Sequence, residues 1–174
     1  ALLATSNLLQ PFVSFGVQHA LIKFYSSYST KEDRDNLLWF SIYFPIIIIL
    51  ALVPFIAFLK PQIISFLTNV NVEIEKYLKM IFYIAILTAY FEIFFSWLRI
   101  QLKTVFGNFL KEFYPRLLIF SLLTFYVIGL ITLDQFVDFL LIGYFIRLLI
   151  VAIYSFYVYT PSFKINLPKK ITSI

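Results

Sequence analysis

The stretch MIFYIAILTAYFEIFFSWL, residues 80–98, decides the fold. Its one charge is Glu92, and everything around it is apolar or aromatic. A second run, FVDFLLIGYFIRLLIVAIYSFYVY, residues 136–159, holds Arg147 near its middle. At a helical rise of about 1.5 Å per residue, each run is long enough to cross a bilayer. A charge at mid-bilayer costs upward of about 2.5 kcal/mol. Such residues persist where they face a bundle interior or a water-filled cavity, so the two charges point to a membrane protein that handles something polar.

Composition agrees with the two runs. Of 174 residues, 61% are hydrophobic and 13% charged, with a mean hydropathy of +0.91. Soluble domains are roughly 45–50% apolar and 25% charged. Working outward, five runs read as transmembrane helices: 2–22, 37–59, 80–98, 113–133 and 136–159. They are continuously apolar, without the period-two alternation of a barrel strand, and in hydrocarbon each must satisfy its own backbone. The expected fold is therefore all-α, a polytopic bundle of five transmembrane helices forming one domain over 1–174.

Several function classes are excluded or disfavoured by the same composition. There is no cysteine and a single histidine, His19, so disulfides and thiolate metal sites are absent and a zinc enzyme is not expected. None of the common hydrolase, zincin or phosphate-loop motifs occurs, and no cofactor is expected. The net charge of +5 is spread through loops, which argues against nucleic-acid binding. Lys23, Lys31 and Arg34, then Arg99, Lys103, Lys111 and Arg116, then Lys164, Lys169 and Lys170 fall on one side of the five runs. Lys60, Lys76 and Lys79 fall on the other, and the richer side is assigned to the cytoplasm. The chain opens at Ala1 inside an apolar stretch, and the reading is of a piece of a longer protein.

Candidate binding residues follow from polarity inside the runs. Asn7, Gln10, Ser14 and Gln18 are spaced three and four apart, which puts them on one face of a continuous helix. Such a stripe suits either a cavity wall or interhelical polar contacts. Lys23 lies one turn beyond, as an interfacial anchor or a ligand contact. Arg147 offers a guanidinium fork suited to phosphate oxygens. Glu92 lies close in depth, so a salt bridge to Arg147 is feasible where the two helices are neighbours. Asp134 reads as the N-cap of the last helix, and Gly16, Gly129 and Gly143 as packing positions.

Three stretches carry a family resemblance: LLQPFVSFGVQHALIKFYSSY (8–28), FSWLRIQLKTVFGNFLKEFYPRLLIFSLL (95–123) with its Leu98-Arg99-x-Gln101 start, and FLLIGYFIRLLIVAIYSFYVY (139–159). The sequence resembles the polysaccharide-exporting flippases of the multidrug/oligosaccharidyl-lipid/polysaccharide transporter superfamily, over helices two to six of the first lobe. The resemblance implies a two-lobe transporter of the bacterial inner membrane. It would carry a polyprenyl-diphosphate-linked glycan outward by alternating access, with membrane lipids as its other partners and no enzymatic activity. It implies that Arg147 attracts the diphosphate, that Asn7, Gln10, Ser14 and Gln18 face the glycan, and that Glu92 pairs with Arg147 or couples to an ion. The alternatives are a cation-coupled drug antiporter of the same superfamily, led by Glu92, a membrane-bound glycan-modifying enzyme, and a non-transporting scaffold.

Overall fold

The computed structural model describes the main chain over residues 2–68 and 73–162, with side-chain surroundings for these except 2, 52–53 and 55–78. The described residues form helices and no strand. They are α1 (Leu2–Ser14), α2 (Val17–Tyr25), α3 (Lys31–Thr68), α4 (Glu73–Ile100), α5 (Thr104–Asn108), a π-helical segment (Phe109–Phe113), α6 (Tyr114–Val127) and α7 (Leu133–Val158).

α4 is the central post, with α1, α2, α3, α5 and α7 packed around it. Its neighbours fix the directions. Ser6 Oγ donates to the Ile81 carbonyl at one end of α4, while Gln101 Nε2 donates to the Tyr25 hydroxyl at the other, so α1 and α2 run parallel to it. Ser155 Oγ on α7 donates to the Phe94 carbonyl, and Leu140 clusters with Ile84, so α7 is also parallel. Leu37 and Leu38 join Trp97 and Leu98 in one core, and Tyr90 donates to the Ile42 carbonyl, so α3 is antiparallel. α6 folds back along α7.

Among the described residues, three helical stretches are long and apolar enough to cross a membrane: Lys31–Ala51, Lys79–Ile100 and Leu133–Val158. The sequence reading expects five. The run 2–22 is divided because Phe15 and Gly16 both take positive φ, 47° and 74°, which ends α1 and starts α2 on a new axis. Positive φ suits glycine and costs a bulky residue such as Phe15. Pro11 lies inside α1 and the break comes one turn after it. The run 113–133 yields a 14-residue α6, about 21 Å at helical rise. Its missing length is upstream: residues 104–113, read from sequence as part of a loop, are helical and continuous with α6.

The ends differ from the sequence reading as well. α3 continues through Pro45 and Pro54 to Thr68 in one 38-residue helix, well past the end of the expected run 37–59. Thr132, not Asp134, caps α7. Its hydroxyl accepts from the Gln135 N–H while the Gln135 side chain accepts from the Thr132 N–H. Gly129, at φ 80° with open space around it, ends α6: the Gly129 and Leu130 N–H groups reach back to the Tyr126 and Phe125 carbonyls. Gly143 is a packing glycine, because a Cβ there would strike Leu118 of α6.

Lys23, Lys31, Arg34, Arg99 and Lys103 gather at one end of the bundle, as the helix directions require. Asp35 ties that end to the residues after α7. It accepts from the Tyr159 hydroxyl at 2.5 Å and from the Ser162 N–H and hydroxyl at 2.9 and 2.6 Å. Lys164, Lys169 and Lys170 lie outside the described residues.

Candidate functional site

Pro115 sits at the start of α6, and its effect reaches back one turn. A proline has no N–H and its ring crowds the carbonyl four residues earlier, here Lys111. The chain responds by widening to a π-helical turn over Phe109–Phe113, in which the Tyr114 N–H bonds to the Phe109 carbonyl. That choice removes the donor an α-helix would give the Leu110 carbonyl. The next N–H along would belong to residue 115, which has none. The Lys111 carbonyl loses its α-helical partner for the same reason. Two acceptors are thus left over, Leu110 buried and Lys111 partly so, and a buried orphan costs about 1–3 kcal/mol.

Arg147 fills the gap. Its side chain enters from α7, only 5% exposed, and Nε donates to the Leu110 carbonyl at 2.8 Å. Nη2 reaches the Lys111 carbonyl at a longer 3.5 Å. The guanidinium lies 3.6 Å from the centroid of Phe91 on α4 and 5.6 Å from that of Tyr144 on α7. Carbonyl dipoles and ring faces therefore solvate this cation in place of water.

The ion pair feasible between Glu92 and Arg147 is not the one formed. Glu92 instead binds Lys111, with Nζ 2.8 Å from Oε1 and 3.0 Å from Oε2. Lys111 belongs to the π-helical turn, which aims its side chain back at α4, where Nζ also stands 5.0 Å from the Phe95 ring centroid. Depth matching from sequence placed Glu92 and Arg147 near one level. It could not foresee that a proline would bring a second cation between them. The pair is partly open, with side-chain exposures of 35% for Lys111 and 19% for Glu92. Nearby, the Tyr114 hydroxyl donates to the Gly143 carbonyl at 3.0 Å, and Gly107 lets the turn lie against Phe95. Three helical elements meet here around two cations and one carboxylate.

The polar stripe is placed differently. Asn7 is exposed, Gln10 half-buried, Ser14 and Gln18 buried. The break at Phe15–Gly16 separates Gln18 from the other three, so the four do not share one helical face. Ser14 Oγ donates to the Pro11 carbonyl at 3.4 Å, and the Gln18 Oε1 is buried with no hydrogen-bond partner among the described residues. Lys23 is exposed, its ammonium 5.5 Å from the Phe24 ring centroid, and His19 is exposed. The structure therefore brings Glu92 and Arg147 into one neighbourhood and leaves Asn7 and Lys23 at the surface.

Sequence reasoning missed Pro115, Lys111 and Phe91. The signal for the first two was present: a proline inside an expected helix, one turn after a lysine, in a chain with an arginine near the middle of a long apolar run. Among the described residues no group of histidine, aspartate and glutamate could hold a metal ion. No protein-family model, curated protein or solved structure matches this chain.

Proposed function

We propose that the chain is part of a membrane transporter that moves a polyprenyl-diphosphate-linked glycan across the bacterial inner membrane. One observation carries the reading. A net cationic junction of Arg147, Lys111 and Glu92 is built on an irregular helical turn among membrane-grade helices. Irregular backbone at membrane depth costs free energy unless neighbours re-satisfy it, and transporters concentrate such turns where they bind and bend. Two cations against one carboxylate leave an excess positive charge suited to an anionic headgroup. Lys111 is the accessible member, paired to Glu92 and partly exposed, whereas Arg147 holds the turn together. In this reading an arriving phosphate competes with Glu92 for Lys111, and the widened turn gives α6 freedom to swing.

The test is complementation with the intact gene product in cells whose glycan export depends on it. Lys111→Gln and Arg147→Gln are expected to lower surface glycan at least tenfold at equal protein level in the membrane, with the lipid-linked precursor accumulating inside. Full export by both variants sinks the proposal. Loss of resistance to cationic drugs with glycan export intact would move the weight to the antiporter reading.

A further inference from the structure

Independently of what is transported, the outer seam between α4 and α7 carries a lipid-sized groove. It holds about 370 Å³ and is lined by Tyr83, Ile86 and Leu87 of α4 with Leu141, Ile142 and Phe145 of α7. The lining presents no polar surface, and Tyr83, Ile142 and Phe145 are each half exposed. The groove is on the outside of two helices that are long and apolar enough to span a membrane, so hydrocarbon chains are its natural filling.

The end of the groove is not apolar. Lys79, Tyr83, Ile86 and Leu87 are four, seven and eight residues along from the first, which is one helical face. On α7, Leu141, Ile142 and Phe145 are three, four and seven residues along from Asp138, again one helical face. Since α4 and α7 are parallel, Lys79 and Asp138 both stand about one turn before the apolar lining, at the same end. Both are exposed, and neither has an ion-pair partner among the described residues. The Tyr83 ring sits at the rim, where amphipathic aromatics meet lipid headgroups.

We infer that this seam binds one glycerophospholipid whose headgroup carries both a phosphate and a primary amine. An acyl chain lies in the groove, Lys79 faces the phosphate, and Asp138 faces the ammonium. A lone cation would favour any acidic lipid. Asp138 beside it disfavours a headgroup of net negative charge and gives the amine a partner. The site thus selects phosphatidylethanolamine over phosphatidylglycerol.

The intact gene product, extracted from membranes containing both lipids, tests this by native mass spectrometry and lipid quantification. The unsubstituted protein is expected to retain phosphatidylethanolamine at least fivefold over phosphatidylglycerol relative to the membrane; equal retention overturns the inference. Ile142→Trp fills the groove from an exposed position and is expected to lower retained phosphatidylethanolamine at least fivefold. Ile146→Trp, equally exposed on α7 outside the lining, leaves it unchanged. An equal fall in both variants means bulk annular lipid and overturns the site. Asp138→Asn abolishes the headgroup preference, and a preference unchanged by it refutes the assigned role. A photocrosslinker at position 142 that captures protein in place of lipid assigns the groove to a protein partner and also overturns it.

Discussion

Restoring one backbone N–H should make the most buried arginine of the bundle nearly dispensable for stability. In the native chain Pro115 leaves the Leu110 and Lys111 carbonyls without helical donors, and Arg147 serves them at 2.8 and 3.5 Å. Arg147→Met keeps the apolar stem and removes the charge, the donors and the ring contact. The short bond to Leu110 is charge-assisted, about 1.5–3 kcal/mol, whereas the 3.5 Å contact adds little. The guanidinium over Phe91, desolvated at 3.6 Å, adds about 2 kcal/mol. Against these stands the relief of no longer burying a cation, which in measured cases offsets several kcal/mol. The net expectation is a loss of up to about 4 kcal/mol. In a Pro115→Ala background the N–H regained at position 115 can take one of the two carbonyls, and the cost of Arg147→Met should then fall by about 1–3 kcal/mol. That difference is the coupling term of a double-mutant cycle, measured by reversible unfolding in detergent micelles or by steric trapping in bicelles. Costs that add within about 0.5 kcal/mol would refute the proline as the reason Arg147 is there. Arg147→Gln serves as the chemical control. It retains a donor without charge, so no advantage over Arg147→Met would mean the hydrogen bond is not what matters.

Three further outcomes follow from single contacts. Gly143→Ala places a methyl group against Leu118 and is expected to destabilise the α6–α7 hairpin by about 1–3 kcal/mol, seen as a lower thermal midpoint, while Gly129→Ala acts only through its positive φ. Glu92→Gln and Lys111→Met should each cost more alone than the pair costs together beyond one of them, with about 1 kcal/mol of coupling; fully additive losses would mean that the ion pair contributes nothing in place. Asp35→Asn keeps the size but loses the charge that accepts from Tyr159 and Ser162, and hydrogen exchange at residues 159–162 should speed at least tenfold while α4 stays protected.

Much of the architecture is legible from residues 80–98 and 136–159 alone. Apolar runs of that length in a chain with so few charges can satisfy their backbone only as helices, and the alternation of runs and basic loops fixes which helices are parallel. The all-helical fold, the parallel pair α4 and α7, and the clustering of Lys23, Lys31, Arg34 and Arg99 at one end all follow from that. The breaks were harder to read. Pro11 lies within the first run, yet the chain turns at Phe15–Gly16, because positive φ is a property of backbone context and not of composition. Pro45 and Pro54 are carried inside one continuous α3.

The junction shows the division most clearly. Sequence alone determined that Glu92 and Arg147 could not face lipid uncompensated, since the free energy of an ion in hydrocarbon depends on the residue and its depth. What compensates each was decided by tertiary structure. Pro115 removed a donor, the helix widened, two carbonyls were released, and Arg147 was placed to reach them from α7. The same widening swung Lys111 onto Glu92. Hydrogen-bond directions over a few ångströms made those pairings, and they depend on helix rotation and backbone register, which the linear spacing of charges does not encode.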